Sequence, residues 1–190
     1  MSHTKTLVFS AFALCISIAI CGPARADREN QRDIAAVTTA KTSLLQAVGE
    51  VEKLGSQPVK AELRWKKGVP VYLVFSMNKG KTIGTTIDSN TGNVLATTEK
   101  SLLSRMLGDD GAEHAEGIGS AKMSLAQAVS LAEQQAGGKA YEADFENKHG
   151  KMRYEIVVAK DNAAHEIVID ATTGQVVKSV PGKDGEHDDD

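Results

Sequence analysis

AKTSLLQAV, residues 40–48, is written almost verbatim a second time as AKMSLAQAV at residues 121–129. Seven of the nine positions are identical, at a spacing of 81. The likeness continues downstream. Gly68 and Tyr72 return as Gly150 and Tyr154, and IDSNTGNV (87–94) returns as IDATTGQV (169–176), now at a spacing of 82. One extra residue between the helix and the first strand accounts for the change, because loops tolerate insertions. Signals in one order at near-constant spacing indicate a duplicated structural unit.

Each unit starts with a helix. Ser43 with Gln46, and Ser124 with Gln127, form the S-x-x-Q capping box, whose side chains satisfy free amides of the first turn. Leu44, Val48 and Val51 recur at i, i+4 and i+7, as do Leu125, Val129 and Ala132, so each helix carries one apolar stripe. Gly55 and the pair Gly137–Gly138 end the two helices. Strands follow. VKAELRW (59–65) sets Val59, Ala61, Leu63 and Trp65 on one face, while VYLVFSM (71–77) and RYEIVVA (153–159) are rich in β-branched and aromatic residues. TIGTTID (82–88) and HEIVID (165–170) are third strands, and NVLAT and QVVKS short fourth ones. The turns between them are short enough for antiparallel hairpins. The expected fold class is α+β: two repeated units, each a helix followed by a three- to four-stranded antiparallel meander sheet.

Tyr72, Val74 and Ser76 align with Tyr154, Ile156 and Val158, which places them under the helix. The opposite face differs between the units. It carries Val71, Leu73, Phe75 and Met77 in the first, but Arg153, Glu155, Val157 and Ala159 in the second. A face that apolar is not left in water. Coverage from within the chain, by segment 101–107, the other unit or the N-terminal segment, is the expectation. The alternative is a partner, for which Val71, Leu73, Phe75 and Met77 are the candidate binding residues.

Composition sets the remaining bounds. LVFSAFALCISIAI (7–20) is an apolar run of 14 residues followed by GPARA. It is short of the roughly 20 residues a membrane span needs, and Ala24-Arg25-Ala26 fits a signal-peptidase site. The expected cut lies between Ala26 and Asp27, giving a periplasmic or secreted protein with no membrane insertion after cleavage. Cys15 and Cys21 leave with the signal, which removes disulfides, thiolate metal sites and cysteine nucleophiles from the mature chain. Cleavage also removes Lys5 and Arg25, moving the formal charge from −3 to −5, of which KDGEHDDD (183–190) supplies −4. A nearly neutral body argues against a nucleic-acid partner. The expected organisation is a signal peptide (1–26), an N-terminal segment (27–39), unit 1 (40–99), an acidic, glycine-rich linker (100–120), unit 2 (121–180) and an acidic tail (181–190).

Local motifs yield no catalytic apparatus. HEIVI (165–169) echoes a zinc-peptidase motif, but Ile169 stands where the second histidine belongs and the segment alternates as a strand. GKT (80–82) lacks the upstream glycine of a phosphate loop, since Phe75 stands there. In DSNTGNVLATTE (88–99), Asp88, Asn90 and Glu99 take calcium-loop positions, yet Gly92 offers no side-chain oxygen and Asn93 replaces the required glycine. An Asx-type turn accounts for it better. The tail and linker combine histidine with carboxylates, which makes His187, Asp188, Asp189 and Asp190 candidate metal ligands; a solvated acidic run is the simpler explanation. No cofactor is implied.

S-L-x-Q-A-V, then strands carrying G-x-x-x-Y, then I-D-x-x-T-G-x-V resembles the PepSY domain, twice, over roughly 40–99 and 121–180. The resemblance implies a helix over an antiparallel sheet, export to the bacterial cell envelope, and a role in restraining or modulating peptidases. No protease domain follows in this chain, so such action would be in trans. The functional expectation is an exported, non-enzymatic binding or regulatory protein whose partner is an unidentified envelope protein, a peptidase among the candidates. The alternatives are a cation-responsive or metal-buffering periplasmic module using the linker and tail, or a structural accessory of a membrane complex.

Overall fold

Ser43 and Ser124 each accept a bond from the amide of the N3 glutamine, and each glutamine side chain returns one to the serine amide. Two complete capping boxes therefore start the helices the sequence predicts. The structure is a computed structural model describing residues 25–99, 117–148 and 150–181. Helices α2 (Leu44–Lys53) and α3 (Leu125–Ala136) are each followed by four strands. The strands are β1 (Gln57–Lys66), β2 (Val69–Asn78), β3 (Lys81–Asp88) and β4 (Val94–Glu99), then β5 (Lys139–Lys148), β6 (Lys151–Lys160), β7 (Ala163–Asp170) and β8 (Val176–Pro181). Helix α1 (Arg25–Thr39) precedes them.

Short turns force the meander. Lys67–Gly68, Lys79–Gly80 and Asp161–Asn162 all adopt positive φ, as the two central residues of a type I′ hairpin must. Asp161 and Asn162 meet that demand without glycine, being the side chains that tolerate it best.

The two meanders are one sheet. Strand order is β4-β3-β2-β1-β5-β6-β7-β8, every neighbour pair antiparallel. Expecting a separate sheet for each half misses this, because alternation reports which face of a strand is buried and not which strand lies beside it. The junction sets Lys60 opposite Asp144, Ala61 opposite Ala143 and Glu62 opposite Glu142. Helix α2 packs on β1, β2 and β5, and α3 on β5, β6, β7 and β1, with the helices also touching each other.

The core lies between these helices and the sheet. Leu44, Val48 and Val51 of α2 are buried in one cluster with Leu63, Tyr72 and Val74 of β1 and β2, and Leu125, Val129 and Ala132 of α3 with Phe145, Tyr154 and Ile156 of β5 and β6. The phenol of Tyr72 donates to the carbonyl of Thr42 at 2.9 Å, and that of Tyr154 to Met123 at 2.6 Å, each pinning the chain just ahead of a helix. Burial, with Glu52 second, pushes the Tyr154 phenol up to about 12, so both tyrosines remain donors at any ordinary pH.

The N-terminal segment forms α1, held by the buried Ile34, Ala36 and Val37 against β5, β6 and β7. Two expectations need correction. The linker does not stay exposed to its end. Ile118–Ser120 form a 3₁₀ turn that buries Ile118, whose carbonyl accepts from Gln57 at 3.2 Å. Val59 does not simply alternate with Ala61 and Leu63, since the register shifts between Pro58 and Lys60 and makes Val59 a bulge residue. Residues 1–24, 100–116, 149 and 182–190 lie outside the described residues, and with them segment 101–107 and the tail ligands His187, Asp188, Asp189 and Asp190.

Candidate functional site

The sheet face turned away from α2 and α3 is the candidate interaction surface. K-x-E-x-R (60–64) and E-x-D-x-E (142–146) alternate with Ala61, Leu63, Ala143 and Phe145, so the apolar set goes under the helices and the charges go outward. Pairing then lines up Lys60, Glu62 and Arg64 on β1 with Glu142, Asp144 and Glu146 on β5, and Arg153 and Glu155 on β6.

Ion pairs lace this band together. Lys60 Nζ lies 2.7 Å from Asp144 and 4.0 Å from both Glu62 and Glu142. Arg64 holds Glu62 through two 2.7 Å bonds, and Arg153 reaches Glu146 at 2.8 Å and Glu155 at 2.6 Å. Burial pulls the Lys60 ammonium down, but Asp144 and then Glu142 and Glu62 carry it above its ordinary value. Glu142 goes the other way for an acid. Burial raises it first, Lys60 opposes, and Glu62 and Asp144 raise it further.

On β2 the same face carries the row that the sequence marks for a partner. Val71 and Phe75 are buried, whereas Leu73 and Met77 are half-buried and pack against the core. The row is therefore together on one strand, and its accessible part is Leu73 and Met77. The charged band beside it was not found by motif reading. K-A-E and E-A-D show a polar strand face, but nothing in either tripeptide shows that the two meet.

The turns after β3 and β7 are Asx turns. Asp88 Oδ1 accepts from the amides of Asn90 and Thr91, and Asp170 Oδ1 from those of Thr172 and Thr173 and from both threonine hydroxyls. The Thr172 hydroxyl first, then these amides and the Thr173 hydroxyl, hold the Asp170 carboxyl down at about 2; the Thr91 and Asn90 amides lower Asp88. Glu99 is bonded to Lys81 at 3.0 Å rather than turned toward Asp88. His165 lies in β7, and Lys79–Gly80 joins β2 to β3, with Lys81 and Thr82 already in β3. Among the described residues no group of three or more His, Cys, Asp or Glu could hold a metal ion. No helix among them is long and apolar enough to cross a membrane.

One asymmetry sits under the helices. Glu133 of α3 accepts from the amide of Ala140 at 3.0 Å. The same place in the first half is Pro58, which has no N–H, and Glu52 Oε1 is buried without a hydrogen-bond partner among the described residues.

A search of curated proteins finds none that matches the chain. Among solved structures, a candidate lipoprotein from Clostridium difficile 630 is 21% identical, covering 75% of this chain and 95% of its own at a TM-score of 0.44. The family model PepSY, described as "Peptidase propeptide and YPEB domain", matches residues 122–180. The C-terminal half of the sheet with the helix over it, from Lys122 to Val180, is thus matched to the PepSY family.

Proposed function

We propose that the chain is an exported, non-enzymatic binding protein built from two PepSY-like units, acting on an envelope protein for which a peptidase is the first candidate. The carrying observation is the family match over residues 122–180 and the peptidase-propeptide setting in its description. The second unit in this reading is residues 40–99. Its support is that capping box, helix-pinning tyrosine, strand order and Asx turn all recur there in the same sequence. The partner surface is the outer face of the sheet, where Leu73 and Met77 of β2 stand beside the charged band of β1 and β5.

Binding through this face is tested by capture from an envelope extract with the mature chain and with Met77→Asp and Leu73→Asp. Phe75→Asp is unsuitable, since a buried aspartate in place of a ring 1% exposed would disrupt the fold. One partner retained by the native chain and lost by both folded variants supports the reading. Equal recovery by all three removes this face. A parallel assay measures casein hydrolysis by whatever peptidase is captured, and an unchanged rate at saturating chain removes the inhibitory role.

A further inference from the structure

We propose that the β1–β5 junction is an acid-tightened joint: Glu62 and Glu142 stand directly opposite each other where the two halves of the sheet meet, and protonation of Glu142 strengthens the union. Like charges opposite each other on one face of antiparallel strands repel. The junction has three residue pairs, and the two on its outer face are unequal. Lys60 against Asp144 is complementary, with a 2.7 Å ion pair; Glu62 against Glu142 is not.

The surrounding charges decide which carboxylate is left weakest. From β1, Lys60, Glu62 and Arg64 face Glu142; on its own strand Asp144 is the neighbouring acid. From α1, which also packs on β5, Asp33 accepts from the Trp65 indole and acts on Arg64, and Arg32 lies over the Trp65 ring. From β6 the residue opposite Glu142 is Val157, and Glu155 stands opposite Asp144, where Arg153 holds it. From β2 the residues opposite Arg64, Glu62 and Lys60 are Val71, Leu73 and Phe75, which bring no charge. Arg64 is committed to Glu62 by two bonds and Lys60 to Asp144 by one, so the two cations that act on Glu142 are both bonded elsewhere, and its ion pair with Lys60 is a long one at 4.0 Å.

Glu142 therefore binds its proton more tightly in the folded protein than in the unfolded chain, in line with its raised pKa. The stability this gives is fully present below the ordinary glutamate range and is lost as pH rises through the folded value. The joint is firmest in mildly acidic solution and weakest at neutral pH and above.

Thermal midpoints of the full mature chain and of Glu142→Gln, taken from pH 4 to 8 at fixed low salt, test this. At pH 7 the variant is expected to melt about 2–4 °C higher than the native chain, with the gap closing toward pH 4. Amide exchange at residues 60–62 and 142–144, corrected for intrinsic rate, is expected to slow severalfold from pH 7 to 5 in the native chain only. Lys60→Gln, which removes the remaining cation, is expected to steepen the native pH dependence. A variant that melts lower at pH 7, or a gap that is the same at every pH, overturns the proposal.

Discussion

Residues 44–99 and 125–181 build the same scaffold and finish its outer surface differently. Under the helices, Tyr72 and Tyr154, Leu44 and Leu125, and Val48 and Val129 are buried in matching places. On the outer face, β2 carries Val71, Leu73, Phe75 and Met77 where β6 carries Arg153, Glu155, Val157 and Ala159. The contrast extends to the edges. Gly84 and Ala96 stand where β7 and β8 have Glu166 and Lys178, which are bonded at 3.0 Å. Packing beneath a helix fixes volume and polarity within narrow limits, whereas an outward sheet face is constrained only by what lies against it. The two halves share what packing beneath the helices requires and diverge on the face turned away from them.

The largest expected effects come from the shared core. Leu44→Ala and Leu125→Ala each remove a fully buried side chain at the start of a helix, and each is expected to cost about 2–5 kcal/mol in urea unfolding. Loss from one half alone would break the equivalence. The asymmetry under the helices sharpens it. Glu133→Ala is expected to cost about 1–2 kcal/mol, because the amide of Ala140 loses its acceptor. Glu52→Ala, removing a carboxylate oxygen that Pro58 cannot serve, is expected to be within about 0.5 kcal/mol of neutral or stabilising. Next come the caps: Ser43→Ala and Ser124→Ala should each cost about 1 kcal/mol, and equally.

The smallest effect is in the acid limb of the stability curve. The depressed carboxyl of Asp170 contributes stability that is present above the ordinary aspartate range and is lost as pH falls toward about 2. Asp170→Asn is expected to flatten thermal midpoints between pH 4 and 2, and Asp88→Asn to do so less, since the Asp170 carboxyl accepts from two threonine hydroxyls, that of Thr172 being its largest cause, whereas at Asp88 the turn amides lead and the Thr91 hydroxyl adds least. Equal slopes for both variants would contradict the difference between the turns.

Much of this was legible in the residues. Capping boxes, helix stripes, hairpin turns and Asx turns are local, and each is decided by side chains within a few positions. The joining of β1 to β5 was not, because pairing between strands more than 80 residues apart leaves no local signature beyond a polar face on each. The same limit hid the seam charges at Lys60, Glu62, Glu142 and Asp144. It also hid the ties of α1, in which Asp33 accepts from the Trp65 indole at 2.6 Å and Asn30 from the Tyr141 phenol at 2.6 Å. Val71, Leu73, Phe75 and Met77 were readable as a row from alternation, but their unequal burial was not.

The two halves form one body through the β1–β5 junction. Trp65, the single tryptophan, lies in the first half and reports its loss by fluorescence, while far-ultraviolet circular dichroism follows both halves. Urea unfolding of the mature chain watched by the two signals is expected to give coincident midpoints and slopes. A tryptophan transition separated from the dichroism transition, with about half of the secondary structure surviving it, would show two independently folding halves and contradict the account.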